Sequence, residues 1–111
     1  MSEPTNTGVQ ADKKFTTFAE FYPFYLSEHS HPTSRRLHFV GTSIALALFI
    51  SAFVTSNGWL VLAAFVQGYV FAWVGHFFFE HNRPVTFKYP FYSFAGDWRM
   101  WADILTGKIK F

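Results

Sequence analysis

The chain has 111 residues and no cysteine, which excludes disulfide bonds, thiolate metal sites and a cysteine nucleophile. Half of its residues are hydrophobic and 23% are aromatic, far above the usage of soluble domains. The formal net charge is only +2 and the basic residues are scattered, which favours contact with membrane lipid headgroups and argues against a nucleic-acid partner. This length predicts one domain.

Residues 1–14 are polar and contain neither an apolar run to bury nor the hydrophobic core of a signal peptide. We expect a disordered tail there, followed by a single membrane domain over residues 15–111. Thr17 and Glu20 have the spacing of a helix capping box, and aromatic residues recur after them at three- and four-residue intervals. The pattern predicts an amphipathic helix on the membrane interface, which either starts late or kinks at Pro23.

The middle of the chain, from Leu37 to Phe79, contains no Lys, Arg, Asp or Glu. Roughly 20 apolar residues cross the hydrocarbon core of a membrane, and this segment is about twice as long. A turn-forming sequence, Thr55 to Gly58, lies near its centre. The segment therefore predicts an all-α membrane protein with a transmembrane hairpin of two spans, over about residues 37–55 and 59–79, flanked by interfacial helices.

The segments that flank the two spans carry the signals for their boundaries and orientation. Pro32 would end the preceding helix, and Thr33 or Ser34 would cap the first span. Basic residues precede the first span and follow the second, whereas the turn between them is uncharged; these residues are Arg35, Arg36, Arg83 and Lys88. The positive-inside rule then places both termini in the cytoplasm. The host membrane would be the endoplasmic reticulum in a eukaryote or the inner membrane in a bacterium.

The C-terminal segment combines an aromatic stretch with a short predicted helix. Phe87 to Phe94 would lie in the interfacial region, where aromatic side chains concentrate. We expect a final helix over about Asp97–Thr106, with Asp97 as its N-cap and Gly107 past its end. Arg99 and Asp103 would form an i,i+4 ion pair on the polar face of that helix.

Two histidines mark the ends of the predicted spans at matched distances from the turn. His38 lies as far before the turn as His76 lies after it, so an antiparallel hairpin brings them to the same depth. Each begins a stripe of small residues at helical spacing, the kind of surface through which membrane helices approach closely. The stripes are Gly41, Ala45 and Ala52, and Ala64, Gly68 and Ala72. The turn at His31 would fold His29 back over the same place.

Ionisable groups that converge at a membrane face predict a functional site. Imidazole with oxygen ligands suits Fe, Zn, Ni or Cu(II). Glu80, four residues beyond His76, could be a ligand, could orient His76, or could pair with Arg83. His31 and His81 could support the ligands or lie on the surface, and the spacing leaves these roles open.

Three motifs follow one another in the chain in a characteristic order. They are Glu28-His29, then Arg36-Leu37-His38-Phe39-Val40-Gly41, then Trp73-Val74-Gly75-His76-Phe77-Phe78-Phe79-Glu80 with Pro84 behind it. This arrangement resembles the small membrane family of 2-hydroxy fatty acid dioxygenases, once catalogued only as a domain of unknown function. Its fungal member is the iron-dependent enzyme of phytosphingosine breakdown. The likeness covers roughly Phe15 to Phe111.

The resemblance implies an Fe(II) cofactor, O2 as co-substrate, and oxygen-dependent removal of the carboxyl carbon from a 2-hydroxy fatty acid. It carries the motif histidines over onto His29, His38 and His76, and the motif carboxylate, a candidate catalytic group, onto Glu80. The chain departs from the pattern at His81, where the family often has a basic residue. His81 is therefore a candidate additional metal ligand.

A 2-hydroxy carboxylate can chelate iron through both of its oxygens, and three histidines leave coordination positions open. The acyl chain would lie in the bilayer or between the spans. Arg35, Arg36 or Arg83 could hold the carboxylate on its approach, or could contact headgroups. The alternative is a non-catalytic membrane module with a structural metal site or a partner-binding role. A closed site with His81 as the fourth ligand would favour that alternative.

Overall fold

The computed structural model describes residues 15–111, so the predicted tail over residues 1–14 lies outside the described residues. The described part of the chain contains helices and no strand, which confirms the all-α prediction. The helices are, in chain order, α1 (Phe18–Ser27), α2 (Pro32–Thr55), α3 (Trp59–Val74) and α4 (Pro90–Leu105). A π-helical turn, Gly75–Glu80, continues α3, and a 3-10 turn, Val85–Phe87, precedes α4.

Helix α1 begins where the capping pattern predicts. The Thr17 hydroxyl accepts a hydrogen bond from the Glu20 amide at 3.2 Å, which satisfies one of the free amides of the first turn. The Glu20 carboxylate accepts from Thr16 rather than from the Thr17 amide, so only half of the capping box forms. The helix runs through Pro23 and does not start late.

Helix α2 begins earlier than predicted. His31, not Thr33 or Ser34, is the N-cap, because its Nδ1 accepts a hydrogen bond from the Thr33 amide at 3.1 Å. Pro32 occupies the first helical position, where its missing N–H costs nothing and its φ is already helical. The helix is closed by Ser56, whose φ of 55° lies in the left-handed region.

Helices α2 and α3 are joined by residues 56–58 and lie side by side. Each is long and apolar enough to cross a membrane, when α3 is taken together with its π turn. The mean hydropathies of their most apolar stretches are 2.0 and 1.6. Only 22% and 17% of those stretches are buried within the protein, whereas the core helix of a soluble protein is mostly buried.

Glycines determine how closely the long helices approach near the histidines. A Cβ added to Gly41 would lie 2.9 Å from the Phe71 Cβ, and one added to Gly75 would lie 2.8 Å from the Ser34 Oγ. Both distances are too short for any larger residue without displacement of a neighbour. Gly68 has no atom within 4 Å of its added Cβ, so only part of the predicted stripe lies at the helix contact.

Helix α4 begins at Pro90 rather than near Asp97, so the predicted start was wrong. The reason is that Pro90 stands at the first helical turn, which makes the aromatic stretch behind it helical rather than irregular. The C-terminal boundary is correct, and Gly107 follows with a φ of 84°. The predicted ion pair also forms, with 3.3 Å between Arg99 Nε and Asp103 Oδ2.

The packed core lies at one end of the α2–α3 pair, where α1 and α4 cover it. Two hydrogen bonds tie α1 to α4: the Tyr22 hydroxyl donates to Asp103 Oδ2 at 2.8 Å, and the Tyr25 hydroxyl donates to Asp97 Oδ1. The core residues are Phe21, Tyr22, Tyr25, Val85, Met100 and Ile104. We call this the histidine end, because His38 and His76 also lie there.

Candidate metal centre

Three histidines from different elements meet at the histidine end. His29 follows α1, His38 lies in α2 and His76 lies in the π turn, and they are 1%, 5% and 2% exposed. One ring nitrogen of each lies within 4.8 Å of the others, and His29 Nε2 is 3.1 Å from His38 Nε2. The structure thus brings His29 to the two histidines that the sequence placed at one depth, as expected from the turn at His31.

The Nδ1 atom of each ring is held by an oxygen acceptor. These contacts are His29 Nδ1 to the Tyr25 carbonyl at 2.7 Å, His38 Nδ1 to the Ser34 carbonyl at 2.9 Å, and His76 Nδ1 to Asn82 Oδ1 at 2.7 Å. Carbonyl oxygens only accept hydrogen bonds, so each Nδ1 must carry the proton. Each neutral ring therefore presents an unprotonated Nε2, which is a metal-ligating atom.

Two unprotonated nitrogens 3.1 Å apart repel each other unless a cation lies between them. A proton is a poor cation here, because burial lowers the pKa of His29 well below its ordinary value and the neighbouring His38 and His76 lower it further. Metal-to-nitrogen bonds of about 2.0–2.1 Å place two ligands of one ion roughly 3 Å apart. The spacing of His29 and His38 therefore fits two ligands of one transition-metal ion, and a nitrogen of His76 lies within 4.8 Å of both as a third donor.

The π turn explains how the third ring reaches the site. Gly75 lets the turn approach Ser34 of α2 closely, and the wider π turn ends at His81, whose φ of 58° reverses the chain. This reversal brings Asn82 back toward the π turn, where its backbone amide donates to the His76 carbonyl at 3.0 Å. Single π-helical turns occur frequently at functional sites.

Asn82 is a site residue that the sequence analysis missed. Its Nδ2 donates to the Glu28 carbonyl at 3.0 Å, which leaves its Oδ1 as the atom that faces His76. Asn82 lies six residues after His76, outside any helical spacing that would place both on one face. The Asn82 side chain thus fixes the ring orientation of His76 and ties it to the end of α1.

Two adjoining cavities open at the histidines. The first, the metal chamber, spans about 270 Å³ of partly solvent-open space and is lined by all three histidines. The second, the apolar groove, spans about 490 Å³ of partly solvent-open space and is lined by residues of α2, α3 and α4, among them Phe49, Phe65 and Phe94. Four residues line both cavities: His38, Tyr69, Ala72 and Asp97. A ligand could therefore reach from the chamber into the groove.

Comparison with known families shows the family of this chain. Residues 15–109 match the family described as 2-hydroxy-palmitic acid dioxygenase Mpo1-like. The chain belongs to the Mpo1-like family. Neither the curated proteins nor the solved structures contain a significant match to it. The match covers α1 to α4 and all three histidines, and it confirms the resemblance drawn from the motifs.

A second polar pair borders the site of this Mpo1-like chain. The Tyr25 ring stacks on His29 with 4.1 Å between ring centres, and its hydroxyl donates to Asp97. Burial raises the pKa of Asp97 to about 7, although the hydrogen bond from Tyr25 opposes this shift. Burial, together with the Asp97 charge, raises the pKa of Tyr25 well above its ordinary value. The sequence analysis treated Asp97 only as a helix cap.

The other candidate ligands lie outside the triad. The Glu80 carboxylate accepts from the His31 amide at 2.8 Å and from the Ser30 hydroxyl at 3.4 Å, so it fastens the loop between α1 and α2. The His31 ring caps α2. His81 is exposed and takes no part in the group of three. The structure therefore brings His29, but neither His81 nor Glu80, to the paired histidines.

The three candidate substrate-binding arginines do not line either cavity. Arg35 Nη2 donates to the Ser30 carbonyl at 3.0 Å, and Arg36 Nε donates to the Phe111 carbonyl at 2.8 Å. Arg83 is exposed on the loop after the π turn. Among residues 15–111, no Lys or Arg lines either cavity.

Proposed function

We propose that the protein is an Fe(II)-dependent dioxygenase that shortens long-chain 2-hydroxy fatty acids by one carbon. One observation carries the proposal: three metal-ligating nitrogens face a buried chamber that continues into an apolar groove. A chamber for a polar head beside a groove for an apolar tail matches the two parts of a fatty acid. The family description, which refers to 2-hydroxy-palmitic acid, supports the same substrate class.

His29, His38 and His76 would hold the iron, and the acceptors on their Nδ1 atoms would keep the rings oriented toward it. Bound Fe(II) would supply coordination of the two substrate oxygens and the one-electron chemistry that O2 requires. Three protein ligands would leave coordination positions for the substrate and for O2, because Glu80 hydrogen-bonds elsewhere and His81 is exposed. A closed structural site would lack these positions.

The apolar groove would take the acyl chain between the long helices. It runs from His38 to Phe49 along α2, which is about 16 Å at 1.5 Å per residue. Small residues such as Gly41, Ala45 and Ala64 line it and leave room for a chain. We assign Arg35, Arg36 and Arg83 to contacts with headgroups or with the carboxylate on its approach.

We propose that α2 and α3 with its π turn cross a membrane as a two-span hairpin, with α1 and α4 at one interface. The exposed apolar side chains and the scattered positive charges at the histidine end support this arrangement. Both termini and the metal chamber would then face the cytoplasm. Substrate that is dissolved in the bilayer could enter the groove from the side.

The decisive experiment supplies purified protein with Fe(II), O2 and 2-hydroxyhexadecanoic acid, and follows the products by mass spectrometry. We expect pentadecanoic acid from the 2-hydroxy acid and no reaction of hexadecanoic acid, which lacks the second chelating oxygen. His38→Ala should be inactive, whereas His81→Ala, a change at an exposed histidine, should retain activity.

Turnover without O2, or equal turnover of the unsubstituted acid, would rule out the proposed reaction. Iron-loaded protein that converts no 2-hydroxy acid of any chain length would instead support the non-catalytic module. The same protein purified with a full complement of zinc and no iron would support a structural site.

A further inference from the structure

Asp97 is a carboxylate at the boundary between the metal chamber and the apolar groove. It lines both cavities, and it is one of only four residues that do so. It does not belong to the group of potential metal ligands, which consists of the three histidines. A group in this position would face a bound substrate rather than the metal.

One oxygen of Asp97 is held by α1, because its Oδ1 accepts from the Tyr25 hydroxyl. Ser93, one helical turn earlier on α4, also lines the metal chamber, and its buried Oγ has no partner within the described chain. A buried polar atom without a partner is costly, so the face of α4 that carries Ser93 and Asp97 is suited to a polar ligand.

A second aspartate on α4 shows what a purely structural carboxylate looks like in this fold. Asp103 also accepts from a tyrosine of α1, at 2.8 Å from the Tyr22 hydroxyl, and it pairs with Arg99 at 3.3 Å. It lines neither cavity. Asp97 has the same kind of tyrosine contact but lacks the ion pair, and it faces the site instead.

The substrate must pass Asp97 if its carboxylate is held in the chamber and its tail lies in the groove. The carbon next to the carboxylate then lies at the junction, where the lining residues are His38, Tyr69, Ala72 and Asp97. We propose that Asp97 hydrogen-bonds the 2-hydroxyl of the substrate and thereby selects hydroxylated over unsubstituted fatty acids. This inference rests on the proposed function, because it assumes a fatty acid in the two cavities.

Asp97 can make the proposed contact in either ionisation state, and the ionised carboxylate makes the stronger bond. An ionised carboxylate accepts a hydrogen bond, and a protonated one can also donate. The substrate hydroxyl can act as either donor or acceptor. An unsubstituted acid would offer Asp97 no hydroxyl to bond at the junction of the two cavities. Sites built to bond a substrate hydroxyl reject analogues without it strongly for this reason.

The test measures binding rather than turnover. The protein is loaded with Zn²⁺, a redox-inert occupant for the three histidines, and the dissociation constants of 2-hydroxyhexadecanoic and hexadecanoic acid are compared. The ratio of the two constants is the hydroxyl preference. The wild type should prefer the 2-hydroxy acid by well over tenfold, and Asp97→Asn should lower that preference by about tenfold, because bonds to charged groups are the stronger ones.

Asp103→Asn is the matched control, since it neutralises the other tyrosine-bonded aspartate of the same helix away from the cavities. It should leave the hydroxyl preference unchanged. Asp97→Leu should reduce the preference to what chelation alone supplies. The amount of zinc bound per chain checks that each variant keeps the three histidines intact. If Asp97→Leu does not fold, Asp97→Asn alone tests whether Asp97 sets the hydroxyl preference.

A preference in Asp97→Asn within twofold of the wild type would overturn the inference, and so would a wild type that does not distinguish the two acids. Neither result touches the proposed reaction, which the turnover assay with iron and O2 decides separately. Conversely, a hydroxyl preference that requires Asp97 in a protein without turnover would leave the recognition intact and reject the reaction.

Discussion

The two ends of the α2–α3 pair differ in what surrounds them. At the histidine end, His29, His38 and His76 are no more than 5% exposed. At the other end, which we call the turn end (residues 53–59), the Phe53 and Trp59 side chains are 88% and 77% exposed. The aromatic core covers only the histidine end among the described residues, so the exposed apolar side chains of the turn end are suited to an apolar environment from outside, such as the membrane interior.

The polar contacts of the two ends differ in the same way. At the turn end they are local: the Thr55 hydroxyl donates to the Ser51 carbonyl at 2.7 Å, and the Trp59 amide donates to Asn57 Oδ1 at 3.1 Å. At the histidine end they join distant parts of the chain, as Asn82 does with Glu28. Substitutions should therefore alter the metal site at one end and leave it intact at the other.

The largest effect should come from the triad itself. His29→Ala, His38→Ala and His76→Ala should each lower metal affinity by more than about 100-fold, because each removes one of only three protein ligands. Metal per chain after purification and dialysis measures this loss. His81→Ala serves as the control and should keep the full amount. Full metal content in His38→Ala or His76→Ala would contradict the proposed site.

A smaller loss should follow the removal of the group that orients His76. Asn82→Ala should lower metal affinity by about 10 to 100-fold, because the His76 ring loses its acceptor while its Nε2 remains. Competition with a metal chelator gives the affinity. Asn57→Ala, the same change at the turn end, should have no effect. Equal affinities in the two variants would show that the Asn82 contact does not orient the ring.

The close approach of the π turn to α2 predicts a packing effect. Gly75→Ala should destabilise the histidine end by about 1–3 kcal/mol, because the new methyl group would lie 2.8 Å from Ser34 Oγ and 3.3 Å from its Cα. Gly68→Ala is the matched control, since nothing lies within 4 Å of its added Cβ. Gly75→Ala should unfold at a lower denaturant concentration and bind metal more weakly than Gly68→Ala. Identical behaviour of the two variants would argue against the close contact between Gly75 and Ser34.

The smallest effects should come from the turn end. Phe53→Ala should change metal affinity and stability by no more than about 0.5 kcal/mol, because this side chain is almost fully exposed. Ser56→Cys should also keep its metal, and in sealed vesicles it should react only with thiol reagents applied from the non-cytoplasmic side. Labelling from the cytoplasmic side would overturn the proposed topology.

The features that follow from regular helical geometry could be predicted from the amino-acid sequence. The uncharged segment from Leu37 to Phe79 predicted two long helices, and equal spacing from the turn predicted that His38 and His76 meet. The Thr17 cap was also readable, because a cap depends on residues only three positions apart. Each of these conclusions needs only a fixed rise and rotation per residue.

The groups that complete the site became visible only in the folded chain. Asn82 reaches His76 through a π turn and a left-handed residue at His81, which break the helical register on which spacing arguments depend. Asp97 faces the cavities because α4 begins at Pro90 and packs across the long helices. These placements depend on contacts between segments far apart in the chain, and no local pattern encodes the distance between such segments.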